Sequence, residues 1–174
     1  MARLGRPLES AGAWYAALVT ASGGVLCVQS VSASQLGWSA DLTPIAIVFF
    51  AIELELMAGL ALAAVVSYAA DALSGGPPGL IMGGHLGAFV LLRLLVRRSP
   101  VLSPPVVVLL SALAAVMAAA TRYALSGALG PGPLPSEPLV GRFAAVVIAA
   151  VPLYGLLRRV GEPFRPRDEA GLRR

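Results

Sequence analysis

Residues 42–72 read LTPIAIVFFAIELELMAGLALAAVVSYAADA, and this stretch decides between one long helix and two shorter ones. Its only charged residues before Asp71 are Glu53 and Glu55. A single helix over the stretch would be about 46 Å long, which exceeds the hydrocarbon core of a bilayer, about 30 Å. The alternative is two helices that meet near the glutamates, the first of them short.

The composition is that of a chain whose solvent is the lipid bilayer. Of 174 residues, 57% are apolar and 13% are charged, and the mean hydropathy is +0.82. Soluble domains average about 25% charged residues. At about 20 residues per membrane span, the length allows at most about six spans with short loops. The composition therefore argues against a soluble enzyme and a disordered chain, and it leaves no room for a separate soluble domain.

The positions of the 13 arginines favour two helices in residues 42–72. Cytoplasmic ends of membrane spans are rich in Arg and Lys. With six spans and a cytoplasmic N-terminus, 11 of the 13 arginines lie in the cytoplasm, whereas one helix in this stretch leaves four there. The sequence therefore predicts an all-α bundle of six transmembrane helices in one domain, with both termini cytoplasmic. The predicted spans are about 13–32, 43–55, 57–72, 79–96, 105–125 and 139–157, followed by a basic tail over residues 160–174.

Two other interpretations of the basic and N-terminal segments are weaker. Val31-Ser32-Ala33 resembles the cleavage site of a secretory leader. The apolar run before it is long for a leader and more membrane segments follow, which favours a retained first span. The arginines flank apolar segments with almost no aromatic residues between them, so we interpret them as topology signals and expect no nucleic-acid partner.

Residues that could carry out chemistry are few. His85 is the only histidine and Cys27 the only cysteine. A histidine in a span usually bonds a neighbouring helix, although a proton relay is the alternative, and Cys27 is expected to be a packing residue. No catalytic or nucleotide-binding motif is present, so we expect no catalytic residues, no cofactor and no metal.

Three charged residues fall near one predicted cytoplasmic interface: Glu53, Glu55 and Arg93. Arg93 lies about one turn inside the end of the fourth span. An ion pair of Glu53 or Glu55 with Arg93 would reduce the cost of placing charges near the membrane. Two hydrated acids at a turn, or a transport or proton site, are the alternatives.

Glycines line one face of the fourth predicted span. Gly79, Gly83 and Gly87 recur every four residues, so another helix can approach this face closely. Asp71 precedes this face, either as a hydrated carboxylate that ends the third span and helps to cap the next helix, or as part of a rigid, partly buried turn that contacts a partner. The candidates for partner contact or packing are therefore Asp71, Gly75, Gly76, Pro77, Gly79, Gly83 and Gly87.

The chain resembles the MreD family of rod shape-determining membrane proteins of bacteria. The resemblance is carried by Gln29-Ser30 late in the first span, Asp41-Leu42 at the opening of the second, Gly59 in the third, and DALSGGPPGL over residues 71–80. Length, span count and basic cytoplasmic ends also agree. The resemblance implies a fold similar to the substrate-binding subunits of energy-coupling-factor transporters, and a location in the bacterial cytoplasmic membrane.

The family resemblance also implies a role without catalysis. MreD-like proteins belong to the cell-elongation (rod) complex, which supports lateral peptidoglycan synthesis and cell shape. The implied partners are a MreC-like bitopic protein, a RodA-like glycosyltransferase and a PBP2-like transpeptidase. The alternative is a small-solute-binding subunit of an energy-coupling-factor-type transporter, with Asp41, Asp71, Glu137 and Arg142 lining a polar cavity.

Overall fold

The described parts of the chain form six α-helices. The computed structural model describes residues 6–36, 41–74, 79–96, 103–129 and 139–161. All regular structure within these ranges is helical, which confirms the all-α class. The helices are α1 (Arg6–Leu36), α2 (Thr43–Glu53), α3 (Leu56–Ser74), α4 (Leu80–Val96), α5 (Pro104–Leu129) and α6 (Leu139–Gly161). Gly75, Gly76, Pro77 and most of the predicted basic tail lie outside the described residues.

Proline marks the beginning of α2 and of α5. Pro44 is the second residue of α2, and Pro104 is the first residue of α5. Proline has no N–H to leave unpaired in the first turn, and its fixed φ suits a helix. The carbonyl of Ser103 accepts hydrogen bonds from the N–H groups of Val106 and Val107, so Ser103 closes the first turn of α5.

Two contacts, one near each end, show that α2 and α4 run in the same direction. Near their starts, the imidazole Nε2 of His85 lies 3.6 Å from a carboxylate oxygen of Asp41. Near their ends, the guanidinium of Arg93 donates to the carbonyl of Ala51 at 2.6 Å. The short connection around Leu54 then turns the chain into α3, which returns to the start of α4.

The remaining helices alternate in direction with these. Gln29, late in α1, accepts a hydrogen bond from the N–H of Leu42, just before α2. Tyr154, late in α6, donates to Glu53 at the end of α2. The ends of α2, α4 and α6 and the starts of α1, α3 and α5 therefore form one end of the bundle, the Arg93 end. The opposite end is the Asp71 end.

The short helix α2 forms the centre of the bundle. Every residue from 43 to 52 is buried, and α2 contacts each of the other five helices. A helix that is apolar on all sides is stable when it is surrounded by protein or by lipid, and here protein surrounds it. Its 11 residues span about 16 Å, so α2 is too short to cross a bilayer core of about 30 Å by itself. Phe49 and Phe50 fill the space around it, with Phe89 of α4.

Within the described residues, three helices are long and apolar enough to cross a membrane: Leu56–Ser74 of α3, Pro104–Thr121 of α5 and Phe143–Val160 of α6. α2 and α4 are apolar but shorter. Many apolar side chains face outward on these helices, among them Met57, Leu109 and Ile148, each more than two-thirds exposed. Outward apolar side chains are typical of a helical bundle surrounded by lipid.

Candidate functional site

The carboxylate of Asp71 fastens the end of α3 to the start of α4. Its Oδ2 accepts a hydrogen bond from the N–H of Gly79, and its Oδ1 accepts one from the N–H of Ile81 at 2.9 Å. Asp71 is only 6% exposed, so it is a buried cap rather than a hydrated one. The negative charge also lies at the positive end of the α4 dipole. The sequence predicted a hydrated carboxylate that caps the next helix; the structure has the cap, with the carboxylate buried.

Gly79 is needed at this turn for conformational reasons. Its φ is +88°, and it is the one described residue with a positive φ. A side chain is strained in this region, whereas glycine adopts it readily. The N–H of Gly83 bonds the carbonyl of Gly79, so the turn leads directly into the first turn of α4. Gly79 and Asp71 together fix how α3 meets α4.

The predicted glycine face of α4 is not covered by the other described helices. Gly83 is exposed, and a Cβ added at Gly79 or Gly87 would meet nothing within 4 Å. Internal packing instead uses Gly84, where an added Cβ would lie 3.0 Å from the carbonyl oxygen of Ala118 in α5. The sequence did not distinguish a partner inside the chain from one outside it for the Gly79, Gly83 and Gly87 face, and within the described helices Gly84 is the glycine at the close α4–α5 contact.

At the Arg93 end, the guanidinium of Arg93 binds the end of α2. Its Nη1 donates to the carbonyl oxygens of Ala51 and Leu54, at 2.6 and 2.8 Å. The last carbonyls of a helix have no partner within the helix, and a cation there also lies at the negative end of the helix dipole. These bonds of Arg93 go to the main chain rather than to the predicted partners, Glu53 and Glu55.

The two glutamates have different surroundings. Glu53 is half-buried and accepts a hydrogen bond from the phenolic O–H of Tyr154 at 2.9 Å. The ring of Tyr154 also packs edge-on against Phe49, with 5.5 Å between ring centroids. Glu55 is exposed at the α2–α3 connection, as expected for a hydrated acid. Glu53 therefore links α6 to the end of α2.

His85 and Asp41 form a second polar group, close to the start of α2. His85 is fully buried, and neither ring nitrogen has a hydrogen-bond partner among the described residues. Oδ1 of Asp41 accepts from the N–H of Thr43 at 3.2 Å, while Oδ2 lies 3.6 Å from Nε2 of His85. A hydrogen bond normally has a length of 2.7–3.2 Å between N and O. The distance between Nε2 of His85 and Oδ2 of Asp41 is therefore longer than a hydrogen bond.

The remaining predicted residues lie apart from these groups. Cys27 is exposed on α1 rather than packed inside. Glu137 lies outside the described residues, and the side chain of Arg142 is not described. Among the described residues, no group of three or more His, Cys, Asp and Glu side chains is placed to hold a metal ion.

Sequence reasoning missed three of these contacts. Gly84 was hidden because Gly84 and Ala88 have the same four-residue spacing as the glycines of the exposed face. The Tyr154–Glu53 bond had one signal, a tyrosine near the end of α6 on the same predicted side as Glu53. Nothing in the sequence indicated the carbonyl partners of Arg93, because every residue has a main-chain carbonyl.

These features define a helical bundle of the membrane-protein type, with a capped α3–α4 turn, a glycine face that the other described helices leave uncovered, and a buried His85 beside a partly exposed Asp41. Comparison of the chain with protein-family models, curated proteins and solved structures gave no match. The function is therefore argued from the chain itself.

Proposed function

We propose that the chain is a non-catalytic membrane scaffold that binds partner membrane proteins of the bacterial cell-elongation (rod) complex. The proposed contact surface consists of the α3–α4 turn and the adjoining glycine face, Gly79, Gly83 and Gly87. The proposed partners are a MreC-like bitopic protein, a RodA-like glycosyltransferase and a PBP2-like transpeptidase. Through them the chain would support lateral peptidoglycan synthesis.

The observation that carries this proposal is the contrast between two faces of α4. The Gly84 face packs closely on α5, whereas the glycine face that begins at Gly79 meets no other described helix. A helix face without side chains allows a second helix backbone to approach closely in lipid, where dispersion contacts drive association. Because Asp71 fixes the turn, this face is presented in one orientation at little cost in entropy.

The proposed location is the bacterial cytoplasmic membrane, with the Arg93 end toward the cytoplasm. Arg158 and Arg159 lie in the last turn of α6, at the same end as Arg93. Asp41 and Asp71 lie toward the other end. Arg122 and Arg142 lie toward this other end, whereas the remaining arginines of the described helices lie at the Arg93 end, and this asymmetry supports both termini on the cytoplasmic side.

The experiment that tests the contact surface compares glycines that differ in position only. Gly83→Leu and Gly87→Leu place a large side chain on the proposed surface. Gly24→Leu is the matched control, because Gly24 is also an exposed helical glycine with nothing within 4 Å of an added Cβ. Each variant is tagged, expressed in a rod-shaped bacterium in place of a native scaffold, and purified from gently solubilised membranes.

We expect the Gly83 and Gly87 variants to lose at least about tenfold of the co-purified rod-complex partners, a loss of about 1.4 kcal/mol of binding. The Gly24 variant should retain them at the same protein level. Equal recovery of these partners with all three variants would rule out the glycine face. Absence of rod-complex proteins with the unaltered chain would rule out the scaffold function itself.

The same purification separates the other function classes. A transporter subunit predicts an associated ATPase and a retained small molecule. An integral membrane enzyme predicts loss of a reaction when His85, Glu53 or Asp71 is changed. Either result in place of rod-complex partners would replace the proposed function.

A further inference from the structure

The start of α2 lies inside the bundle rather than at its edge. The side-chain oxygen of Gln29 accepts a hydrogen bond from the N–H of Leu42, and α1 continues from Gln29 to Leu36, about 10 Å farther. At this depth α2 packs on α3 and α4, and these two helices also pack on each other. Because burying a polar side chain is costly unless it is hydrogen-bonded, polar groups here need partners inside the bundle.

Ser67 of α3 and His85 of α4 lie at the same level of the bundle. The carboxylate of Asp71 accepts the N–H of Ile81 at 2.9 Å, and this bond sets the register of the two antiparallel helices. Ser67 is four residues before Asp71 and His85 is four residues after Ile81, so each lies about 6 Å closer to the Arg93 end. Residues four apart share a helix face. Ser67 and His85, both 0% exposed, therefore face the interior at one level.

Thr43, at the start of α2, belongs to the same region. The carboxylate of Asp41 reaches both residues: Oδ1 accepts the N–H of Thr43 at 3.2 Å, and Oδ2 lies 3.6 Å from Nε2 of His85. Thr43 is 1% exposed. As the first residue of α2, it has no preceding turn of this helix to which its hydroxyl could donate. Three buried polar side chains from three helices are thus brought together: Thr43, Ser67 and His85.

None of these three side chains is hydrogen-bonded within the described part of the chain. The hydroxyls of Thr43 and Ser67 and both ring nitrogens of His85 lack a partner. Other helical hydroxyls bond their own helix: those of Thr20 and Thr121 donate to the carbonyl one turn earlier, at 2.8 and 2.9 Å. Ser67 does not, although its position in α3 would allow it. Because buried polar groups are almost always paired in native proteins, this set indicates a site for a hydrogen-bonding ligand.

We propose that Thr43, Ser67 and His85 form a binding site for an ordered water molecule between α2, α3 and α4. Water suits this set because hydroxyls and an imidazole offer both donors and acceptors, and water donates and accepts at the same time. An internal water makes about three hydrogen bonds to buried polar groups that have no other partner. Three side chains from three helices match that number, whichever ring nitrogen carries a proton.

Other ligands fit these residues less well. An anion at a helix start is bound by free N–H groups. Here the N–H of Thr43 is bonded to Asp41, and the next residue, Pro44, has no N–H. Over the described ranges, no group of three or more His, Cys, Asp and Glu side chains is placed to hold a metal ion. The apolar neighbours Ile45 and Phe89 are fully buried, so the ligand is small.

The water joins the start of α2 to α3 and α4. A hydrogen bond through water is nearly as favourable in enthalpy as a direct one. At the opposite end of α2, Arg93 and Tyr154 bond the last turn directly. The enclosed helix is therefore held by polar contacts at both ends, through water at one and through side chains at the other.

The test uses His85, the only histidine in the chain, as its reporter. The full chain, carrying a tag without histidine, is labelled with ¹⁵N-histidine, placed in lipid bilayers and studied at neutral pH by solid-state NMR. Magnetisation is passed from water protons to the nitrogens of His85. Bulk water does not contact the imidazole, whose exposure is 0%. We expect the ring nitrogens to receive magnetisation at least about twofold faster than the backbone nitrogen of the same residue.

Two variants remove partners of the water. Thr43→Val and Ser67→Ala should each slow the transfer to the ring by about twofold or more. Ser111→Ala is the matched control, because Ser111 is also 0% exposed with an unpaired hydroxyl among the described residues. It lies seven residues before Ala118, the contact of Gly84, and so about 10 Å nearer the Arg93 end. Its loss should leave the transfer unchanged.

The unaltered chain alone can refute the proposal, so the test does not depend on how the variants fold. Transfer to the ring of His85 that is no faster than transfer to its backbone nitrogen would overturn it. A ring nitrogen bonded directly to the hydroxyl of Ser67 or Thr43 would do the same, and so would equal transfer in the unaltered chain and all three variants. The result is independent of partner binding.

Discussion

Adding one methyl group to α4 should lower the free energy of unfolding at Gly84 and leave it equal or higher at Gly87. The two glycines are three residues apart in the same helix, so both gain about 1 kcal/mol of helix propensity when changed to alanine. At Gly87 the new Cβ meets nothing within 4 Å. At Gly84 it lies 3.0 Å from the carbonyl oxygen and 3.2 Å from the Cα of Ala118.

The magnitude follows from what can move at each position. Both near atoms at Gly84 belong to the backbone of α5, so α4 and α5 must separate by several tenths of an ångström. Overpacking of this kind costs about 1–3 kcal/mol. Because the propensity gain cancels between the variants, we expect Gly84→Ala to be less stable than Gly87→Ala by about 1–3 kcal/mol.

The assay is equilibrium unfolding in mixed micelles with increasing sodium dodecyl sulfate, followed by tryptophan fluorescence. Trp14 is 4% exposed in the bundle and reports the loss of packing. Gly87→Ala should be equal to or more stable than the unaltered chain. Equal stability of Gly84→Ala and Gly87→Ala would refute the close α4–α5 contact, and with it the assignment of the two faces.

Three further predictions concern the polar contacts and the direction of the helices. Asp71→Asn should lower the free energy of unfolding by about 1–3 kcal/mol, because an amide cannot accept both N–H bonds; faster hydrogen exchange at Ile81 should accompany the loss, and an unchanged exchange rate would contradict the cap. A double-mutant cycle of Tyr154→Phe and Glu53→Gln should give a coupling of about 0.5–3 kcal/mol, whereas additive effects would show that their bond contributes nothing. In a Cys27→Ala background, single cysteines at Ser74 and Glu55 should be labelled from opposite sides of sealed vesicles, and labelling from the same side would contradict the alternation of α2 and α3.

Local signals in the sequence predicted the helices closely. Pro44, Pro104 and the turn before Gly79 mark helix starts by removing an N–H or supplying an unusual φ, and these effects need no tertiary context. The glutamates correctly placed the break between α2 and α3, which the structure has between Glu53 and Leu56. The short length of α2 followed from the same break.

Tertiary partners were harder to predict. The run around Phe49 and Phe50 has no polar side, which is compatible with a lipid-facing helix or an enclosed one, and only its shortness favours enclosure. Likewise the four-residue spacing of small residues occurs on two faces of α4. Which of them meets α5 depends on the rotation of the helix, and one sequence does not specify that rotation.

The capping of α4 could be predicted from the sequence only in part. An Asp near a turn rich in Gly and Pro predicts a cap, because short acidic side chains accept free N–H groups at a helix start. The sequence could not show that the carboxylate is buried or that it bonds Gly79 and Ile81 together. For Arg93 the sequence predicted an ion pair with Glu53 or Glu55, whereas the acceptors of its hydrogen bonds in the structure are main-chain carbonyls at the end of α2.

The enclosed position of α2 has a consequence for biogenesis. Of the five helices that surround it, four are synthesised after it, so in a chain inserted from the N-terminus α2 must wait in the lipid. Because its surface is apolar on all sides, α2 is stable in lipid during this interval, since lipid tails contact such a surface about as well as protein does. Only when α4 and α6 arrive do Arg93 and Tyr154 supply donors to its last turn. The hydrogen bonds at the last turn of α2 therefore form only when the whole bundle has assembled.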